Sequence, residues 1–316
     1  MEKIVFIESL GISNEMLKEI IGQYINEDID ICFWNEKPKN KNELIERVKE
    51  ASVIVTAQVV IDKEVIDACD KLRYICVAFT GTDHIDKKYC KEKGIKVSNC
   101  SGYSTVAVAE LVFGLVLNLM RNINECDKAT RGSKTKDGLV GEELDGKTFG
   151  IIGLGEIGSR VAKIANAFGC KVIAYSRHDK HLENVKQLSF EEVLKESDIL
   201  SLHVPSNEST YHLIGKEQLE MMKDSSLLIN CARGAVVDNV ALKQALDNGT
   251  IAGCGIDVFD KEPPLDKDYC LVNAKNCLLT PHVGFATKQA FVKRAHIVAE
   301  NLKAYLNGEI INEVND

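Results

Sequence analysis

The 316-residue sequence lacks an excess of positive charge and lacks any apolar segment long enough to cross a bilayer. Its 39 Lys and Arg residues are outnumbered by 47 Asp and Glu residues, which gives a formal net charge of −8. Nucleic acids and anionic membranes are bound through clustered basic residues, so we predict neither as a partner. The longest apolar run, Thr105 to Met120, contains Glu110 and Asn118 and is shorter than the roughly 20 residues of a membrane span. We interpret it as a buried helix.

The sequence also lacks a Cys-x-x-Cys pair, although it contains eleven cysteines. An odd number scattered through apolar runs does not match the even disulfide framework of a short secreted domain. The N-terminal residues MEKIVFIESLG have neither the long apolar core nor the cleavage site of a signal peptide, and are typical of a first β-strand. We therefore predict a cytoplasmic protein with reduced thiols that pack as small apolar groups, and no metal site.

With five prolines and no repeat or low-complexity segment, the sequence contains no recognisable linker. Short apolar runs alternate instead with segments of helical period, which is typical of βαβ units and parallel sheets. The predicted strands of a first series read KIVFI, IDICFW, SVIVTA, LRYICVAF and IKVSN. A second series begins at Lys147 and reads TFGIIGLG, KVIAYS, DILSLHV, SLLINCA, AGCGIDV and CLLTPH. The segments of helical period between these strands include 14–23, 41–50, 62–70, 159–168, 190–196, 216–222 and 239–248. A predicted helix at 105–124 and a loop at 131–146 separate the two series. We predict an α/β protein of two doubly wound parallel-sheet domains.

A glycine-rich turn joins the predicted strand TFGII to a predicted helix. In dinucleotide-binding domains the first glycine of such a turn permits the bend, the second lets the backbone approach a pyrophosphate, and the third lets the helix pack closely on the strand. The N-terminus of the helix adds N–H groups and a favourable dipole. Because strand, turn, helix and the next strand follow in this order, we favour a dinucleotide site over a purely structural turn. The residues assigned to it are Gly153, Gly155, Glu156, Ile157 and Gly158.

The end of the strand KVIAYS normally carries an Asp or Glu that binds the adenosine ribose. Here that place is taken by Ser176, and Arg177 follows it. Without a carboxylate a ribose 2′-phosphate is not repelled, and Arg177 can form a charge-assisted hydrogen bond worth about 1.5–3 kcal/mol. We predict NADP(H) as the favoured cofactor. The alternative is NAD(H), with Arg177 a solvated surface residue.

Three polar residues follow strands of the second series. Arg233 comes after SLLINCA, Glu262 after AGCGIDVFDK and His282 after CLLTP. Loops beyond the carboxyl ends of parallel strands surround the ligand, so we expect all three on the same side as the glycine turn. An Arg can bind a carboxylate through two N–H groups, a His can protonate a carbonyl oxygen as hydride arrives, and a Glu can keep that His protonated. Together they predict the reduction of a 2-oxo acid.

With these residues the sequence resembles the D-isomer-specific 2-hydroxyacid dehydrogenases over essentially its whole length. The lack of an acid at Ser176 resembles the NADPH-preferring glyoxylate/hydroxypyruvate reductase branch of that family. The matching segments are GTDHID (81–86), AVAEL (107–111), LDGKTFGIIGLGEIG (144–158), HVPSNESTYHLI (203–214), LINCARGAVVD (228–238), AGCGIDVFDKEP (252–263) and TPHVGF (280–285). The resemblance implies that His282 is the acid–base residue, that Glu262 orients and charges it, and that Arg233 binds the carboxylate and carbonyl oxygens of the substrate.

The resemblance also implies the remaining contacts of the two ligands. The backbone N–H groups of Thr80 and Gly81 would bind the substrate carboxylate from the other domain, and Asp257 would contact the nicotinamide amide. Other residues implied to line the cofactor are His203, Val204, Pro205, Cys231, Ala232, Arg233 and His282. Cys231 is interpreted as a wall of the site and not as a nucleophile.

The architecture implied by the resemblance is a dinucleotide-binding Rossmann domain, residues 99–287, inserted into a flavodoxin-like substrate-binding domain, residues 1–98 with 288–316. The predicted helix at 105–124 would form a homodimer. The loop 131–146 is short of the aromatic residues often found there, which leaves the dimer contacts open.

The side chain of the substrate is the least determined feature. Phe79, Tyr103 and Phe285 are candidates to line its pocket, and core or hinge packing is the alternative. We see no basic cluster for a phosphate near them, and no additional regulatory domain of the kind that many phosphoglycerate dehydrogenases carry. We predict reduction of glyoxylate, hydroxypyruvate or a short-chain 2-oxo acid to the D-2-hydroxy acid. The alternatives are 3-phosphoglycerate oxidation and a dinucleotide-sensing corepressor.

Overall fold

The computed structural model describes residues 2–25 and 29–314. The chain divides into two compact units, Met1–Ser104 with Ala286–Asp316 and Thr105–Phe285. The predicted boundaries lie after residues 98 and 287. Residues 99–104 belong to the first unit because their backbone is hydrogen-bonded within it: the N–H of Asn99 donates to the carbonyl of Asn312 at 3.0 Å, and that of Cys100 to the carbonyl of Phe79 at 2.9 Å.

The first unit contains a five-stranded, wholly parallel sheet in the order β2-β1-β3-β4-β5. This order is the flavodoxin-like one. Its strands are β1 Lys3–Phe6, β2 Asp30–Phe33, β3 Val53–Thr56, β4 Tyr74–Val77 and β5 Lys96–Ser98; its helices are α1 Asn14–Gly22, α2 Lys41–Val48, α3 Lys63–Asp67, α4 Lys87–Lys93 and the closing helix α11 Lys288–Leu306. Strands β3 and β4 are buried at every position, as expected of parallel strands covered on both faces.

The second unit contains a seven-stranded parallel sheet in the order β12-β11-β10-β9-β6-β7-β8. Counted from β6 as the first strand, this is the Rossmann order 3-2-1-4-5-6 with one further strand at the edge. Its elements are α5 Thr105–Arg121, α6 Ile123–Arg131, β6 Thr148–Ile152, α7 Glu156–Ala167, β7 Lys171–Tyr175, β8 Val185–Gln187, α8 Phe190–Glu196, β9 Ile199–Leu202, α9 Lys216–Met221, β10 Leu227–Asn230, α10 Asn239–Asn248, β11 Gly253–Ile256 and β12 Cys277–Leu279. The predicted fold class is confirmed.

Helices α4 and α6 and the edge strand β8 were not predicted from the sequence. The predicted helix at 105–124 is broken by Asn122, whose φ of +51° is left-handed, and α6 continues at an angle of 57° to α5. Strand β8 is only three residues long and reads VKQ, too short for an alternating pattern. Among the described residues no single helix is long and apolar enough to cross a membrane, and only the bent α5–α6 pair passes that test by length and composition.

Candidate active site

The glycine-rich turn lies after β6, where the order of strands in the larger sheet reverses between β6 and β9. Gly153 has a left-handed φ of +99°, and a Cβ atom there would lie 2.6 Å from the carbonyl oxygen of His203 at the end of β9. A Cβ atom on Gly158 would lie 2.0 Å from the carbonyl oxygen of Gly153. Side chains at these two positions would therefore fill the turn that packs α7 against the sheet.

Helix α7 begins directly behind this turn. Its N-cap residue is Gly155, which has no side chain to accept hydrogen bonds from the first N–H groups. Such N–H groups and the helix dipole suit a pyrophosphate. Gly155 and Glu156 are exposed and Ile157 is half-buried, so the approach to these N–H groups is open within the unit. The residues present thus fit a dinucleotide. At the end of β7, Ser176 is half-buried and Arg177 is exposed.

His282 and Glu262 form a hydrogen-bonded pair. Nδ1 of His282 lies 2.8 Å from Oε2 of Glu262, and the imidazole is mostly covered while the carboxylate is half exposed. The backbone of His282 is left-handed, with φ +54°, and its N–H donates to the carbonyl of Thr280 at 3.0 Å. The ring of Phe285 contacts the imidazole edge-on, with centroids 5.4 Å apart. Because Nδ1 is engaged with a carboxylate, Nε2 is the atom suited to donate a proton to a substrate.

Asp257 fixes the loop that carries His282. This carboxylate, 1% exposed, accepts hydrogen bonds at Oδ1 from the Thr280 hydroxyl (2.6 Å) and the Val283 N–H (2.8 Å), and at Oδ2 from the Gly284 N–H (2.8 Å). Burial raises the pKa of Asp257, while these three hydrogen bonds act in the opposite direction. The end of β11 is therefore joined to the loop after β12 on both sides of His282. The predicted contact of Asp257 with the nicotinamide amide stays a prediction.

Arg233 follows β10 in a loop held by the buried side chain of Asn230. The amide nitrogen of Asn230 donates to the carbonyl of Arg233 at 2.9 Å, and its amide oxygen accepts from the N–H of Ala232 at 3.0 Å. Nη1 of Arg233 donates to the carbonyl of Ala232 at 2.8 Å. A Cβ atom on Gly234 would lie 1.8 Å from the carbonyl carbon of Phe259. Only glycine lets this loop approach the segment that leads from β11 to Glu262.

Neither Asn230 nor Gly234 was predicted as a site residue, although both lie inside the matched segment LINCARGAVVD. The signal that marks Asn230 is a polar residue at the last position of an otherwise apolar strand. The structure thus places Arg233, Glu262 and His282 after three neighbouring strands, β10, β11 and β12. They lie at the same carboxyl edge as the glycine turn, as predicted.

The remaining predicted cofactor residues of this unit lie after β9 and β10. Nε2 of His203 is hydrogen-bonded with Oγ of Ser201 at 2.8 Å, and burial lowers the pKa of His203 to about 3, so this imidazole is neutral at ordinary pH. Val204 is half-buried and Pro205 exposed. Cys231 is buried, and burial together with the charge of Asp257 raises the pKa of its thiol. A thiol held in its protonated form suits a wall of the site better than a nucleophile.

Two of the predicted substrate residues of the first unit, Phe79 and Tyr103, lie beside Arg294 of α11. The rings of Phe79 and Tyr103 lie 5.8 Å apart, and the Arg294 guanidinium lies 5.6 and 5.5 Å from their centroids. Thr80 is exposed, Gly81 is half-buried, and the Asn99 side chain donates to the Thr80 carbonyl at 2.8 Å.

Comparison with known proteins gives consistent results. The family described as D-isomer specific 2-hydroxyacid dehydrogenase, NAD binding domain, matches residues 113–284. A glyoxylate reductase of Thermococcus litoralis is 41% identical over 89% of this chain and 88% of its own length. A D-3-phosphoglycerate dehydrogenase of Methanocaldococcus jannaschii is 40% identical over 87% of this chain, but over only 53% of its own length. The solved structure of an acyclic imino acid reductase in complex with NADPH and D-Arg has a TM-score of 0.91 and 32% identity, covering 99% of this chain and 100% of that one.

Proposed function

The chain belongs to the D-isomer specific 2-hydroxyacid dehydrogenase family, and on that premise we propose that it reduces glyoxylate, hydroxypyruvate or a short-chain 2-oxo acid to the D-2-hydroxy acid with NADPH. It is an oxidoreductase that uses a nicotinamide dinucleotide. The observation that carries the proposal is the 2.8 Å pair of His282 and Glu262, at the sheet edge shared with Arg233 and the glycine turn. The 41% identity to a glyoxylate reductase supports the choice of substrate.

A reduced nicotinamide dinucleotide held at the glycine turn 153–158 would supply the hydride for the carbonyl carbon of the substrate. Nε2 of protonated His282 donates a proton to the carbonyl oxygen, which balances the charge of the product. Glu262 holds Nδ1 through its 2.8 Å hydrogen bond and so orients the ring with Nε2 toward the substrate. The guanidinium of Arg233 binds the substrate carboxylate and polarises the carbonyl. Asp257 and Asn230 do not react but hold the two loops in place.

The test is a panel of 2-oxo acids supplied with NADPH and, separately, with NADH. We expect turnover of glyoxylate or hydroxypyruvate with a higher kcat/KM for NADPH. A clear preference for NADH would refute the cofactor assignment alone. Oxidation of 3-phosphoglycerate faster than any reduction in the panel would replace the substrate assignment, and no turnover at all would favour a dinucleotide-sensing binding protein.

We further propose a homodimer built around α5 and α6, and a cytoplasmic location. Three large apolar side chains of α5, α6 and the loop after α6 are exposed, Val106 at 49%, Ile123 at 50% and Val140 at 83%, and a second copy would cover them. All eleven cysteines are free thiols, which suits a reducing compartment. Light scattering after size exclusion should give the dimer mass. A monomeric mass at micromolar concentration would contradict the assembly without affecting the assigned reaction.

A further inference from the structure

The loop between β7 and β8 is tied to the glycine-rich turn by Lys180. Its Nζ donates a hydrogen bond to the carbonyl oxygen of Leu154 at 2.9 Å, across 26 positions of sequence. Leu154 stands between Gly153 and Gly155, the first two glycines of the turn. An ammonium group is therefore held against the backbone of the turn whose shape suits a dinucleotide.

The backbone of Lys180 is also fixed. The side-chain amide of Gln187, on the edge strand β8, donates to the Lys180 carbonyl at 3.1 Å and to Oδ1 of Asp179 at 2.7 Å. Lys180 is half-buried, whereas Arg177, three positions earlier, is exposed. A side chain that is already held in place loses less conformational freedom when it binds a ligand. Lys180 is thus better prepared than Arg177 to bind an anion.

The remaining hydrogen-bonding capacity of Lys180 suits a phosphate. An ammonium carries three N–H donors, and the Leu154 carbonyl accepts one of them. Within residues 2–25 and 29–314, no carboxylate lies within ion-pair distance of this ammonium. The end of β7 is where the adenosine ribose lies in dinucleotide-binding folds, and Ser176 replaces the usual acid there. Lys180 follows Ser176 by four positions and is held at the glycine turn, and a cation in this loop matches a phosphate monoester on that ribose.

We propose that Lys180 binds the 2′-phosphate of NADP(H), and that it contributes more to the choice of NADP(H) over NAD(H) than Arg177 does. The inference rests on the proposed function, since it presumes that NADPH is the preferred cofactor. The main contact with the 2′-phosphate is then made by Lys180, which also contacts the glycine turn. Arg177 contributes less because its charge at the exposed surface is screened by solvent and salt.

The test compares two fragments of the cofactor as inhibitors against NADPH. Adenosine 2′,5′-bisphosphate carries the 2′-phosphate and adenosine 5′-monophosphate lacks it. For Lys180→Met we expect the affinity for the bisphosphate to fall about 10-fold or more, with little change for the monophosphate. Lys180→Arg should retain most of the affinity, and Arg177→Met should lose less than Lys180→Met. Lys186→Met is the matched control, because Lys186 is an exposed lysine on β8 and its loss removes the same charge.

Five outcomes would overturn the inference. If Lys180→Met weakens the binding of both fragments equally and lowers the Tm, Lys180 only stabilises the glycine turn. A larger loss in Arg177→Met would make Arg177 the main contact, and an equal loss in Lys186→Met would reduce the effect to net charge. If the wild-type enzyme prefers the bisphosphate and Lys180→Met shows the same preference, this inference is wrong but the NADPH proposal stands. A wild-type enzyme that binds both fragments equally refutes the NADPH proposal itself, and the inference with it.

Discussion

Along the carboxyl edge of the larger sheet, the turn after β6 is shaped by glycines, whereas the loops after β10 and β12 are held by buried polar side chains. We refer to the glycine turn 153–158 with the loop 176–187 as the cofactor side, and to the loops bearing Arg233, Glu262 and His282 as the catalytic side. On the cofactor side, added Cβ atoms would collide with backbone 2.0 to 2.6 Å away. On the catalytic side, the hydrogen bonds of Asn230 fix the Arg233 loop, and those accepted by Asp257 fix the His282 loop.

The difference follows from what each side has to do. A pyrophosphate is bound by backbone N–H groups, so its site needs close approach and little side-chain volume. Proton transfer needs an imidazole at a defined distance and angle from the substrate, and a left-handed residue such as His282 is held there only by its surroundings. The two sides are therefore expected to fail separately when they are mutated.

The largest effect should come from His282→Ala. Removing the proton donor should lower kcat by about 10²- to 10⁴-fold, while the Kd for NADPH, measured by fluorescence titration, stays essentially unchanged because the cofactor side is untouched. His296→Ala is the control, since His296 lies in α11 and is hydrogen-bonded with the Tyr24 hydroxyl. If His282→Ala keeps the kcat of the wild-type enzyme, His282 is not the proton donor.

Gly158→Ala should instead weaken the binding of NADPH and leave kcat largely unchanged. The added methyl group meets the Gly153 carbonyl oxygen at 2.0 Å, and relief of such overpacking costs about 1–3 kcal/mol, or roughly a 5- to 150-fold weaker Kd for NADPH. At saturating cofactor kcat should recover most of its value. A fall in kcat with unchanged cofactor affinity would show that the two sides are not separable. Gly22→Ala is the control, because no atom lies within 4 Å of a Cβ atom added there. Gly138→Ala would not serve, because the φ of +78° at Gly138 would strain an alanine.

A smaller effect should follow the loss of the Thr280 hydroxyl. Thr280→Val keeps the shape of the side chain but removes its 2.6 Å hydrogen bond to Asp257, and we expect kcat to fall about 10-fold because hydrogen bonds to charged groups contribute about 1.5–3 kcal/mol. Thr280→Ser should restore most of the activity. If the serine variant is as slow as the valine variant, the methyl group and not the hydroxyl holds the loop.

The smallest effect is expected at Cys231, which lies on the catalytic side but takes no part in proton transfer. Cys231→Ala should keep kcat within about 3-fold, since it removes one small apolar group beside the site. Because burial raises the thiol pKa, iodoacetamide at neutral pH should alkylate Cys231 more slowly than the less buried Cys126, as followed by peptide mass spectrometry. Loss of activity on substitution would give Cys231 a chemical role.

Much of the fold could be predicted because buried parallel strands are continuous apolar runs, and each run in the sequence became a strand within a few residues. Helices α8 and α10 begin and end at the predicted residues, Phe190–Glu196 and Asn239–Asn248, since Ser189 and Asp238 cap their N-termini. Strand β8 and helix α6 were not predicted. The first exists only because β7 offers an unpaired edge, and the second only because Asn122 turns the chain.

By itself the sequence determined the alternation of strands and helices, the glycine turn, and the three polar residues placed after successive strands. These features are local, since each depends on residue types within one turn or one strand. Only the tertiary structure decided the order of the strands, the hydrogen bonds between Asp257 and the His282 loop, and the contact of Lys180 with Leu154. The hydrogen bonds of the last two join residues 23 to 27 positions apart. No local pattern encodes such pairs, because they meet only when neighbouring parallel strands end at the same edge of the sheet.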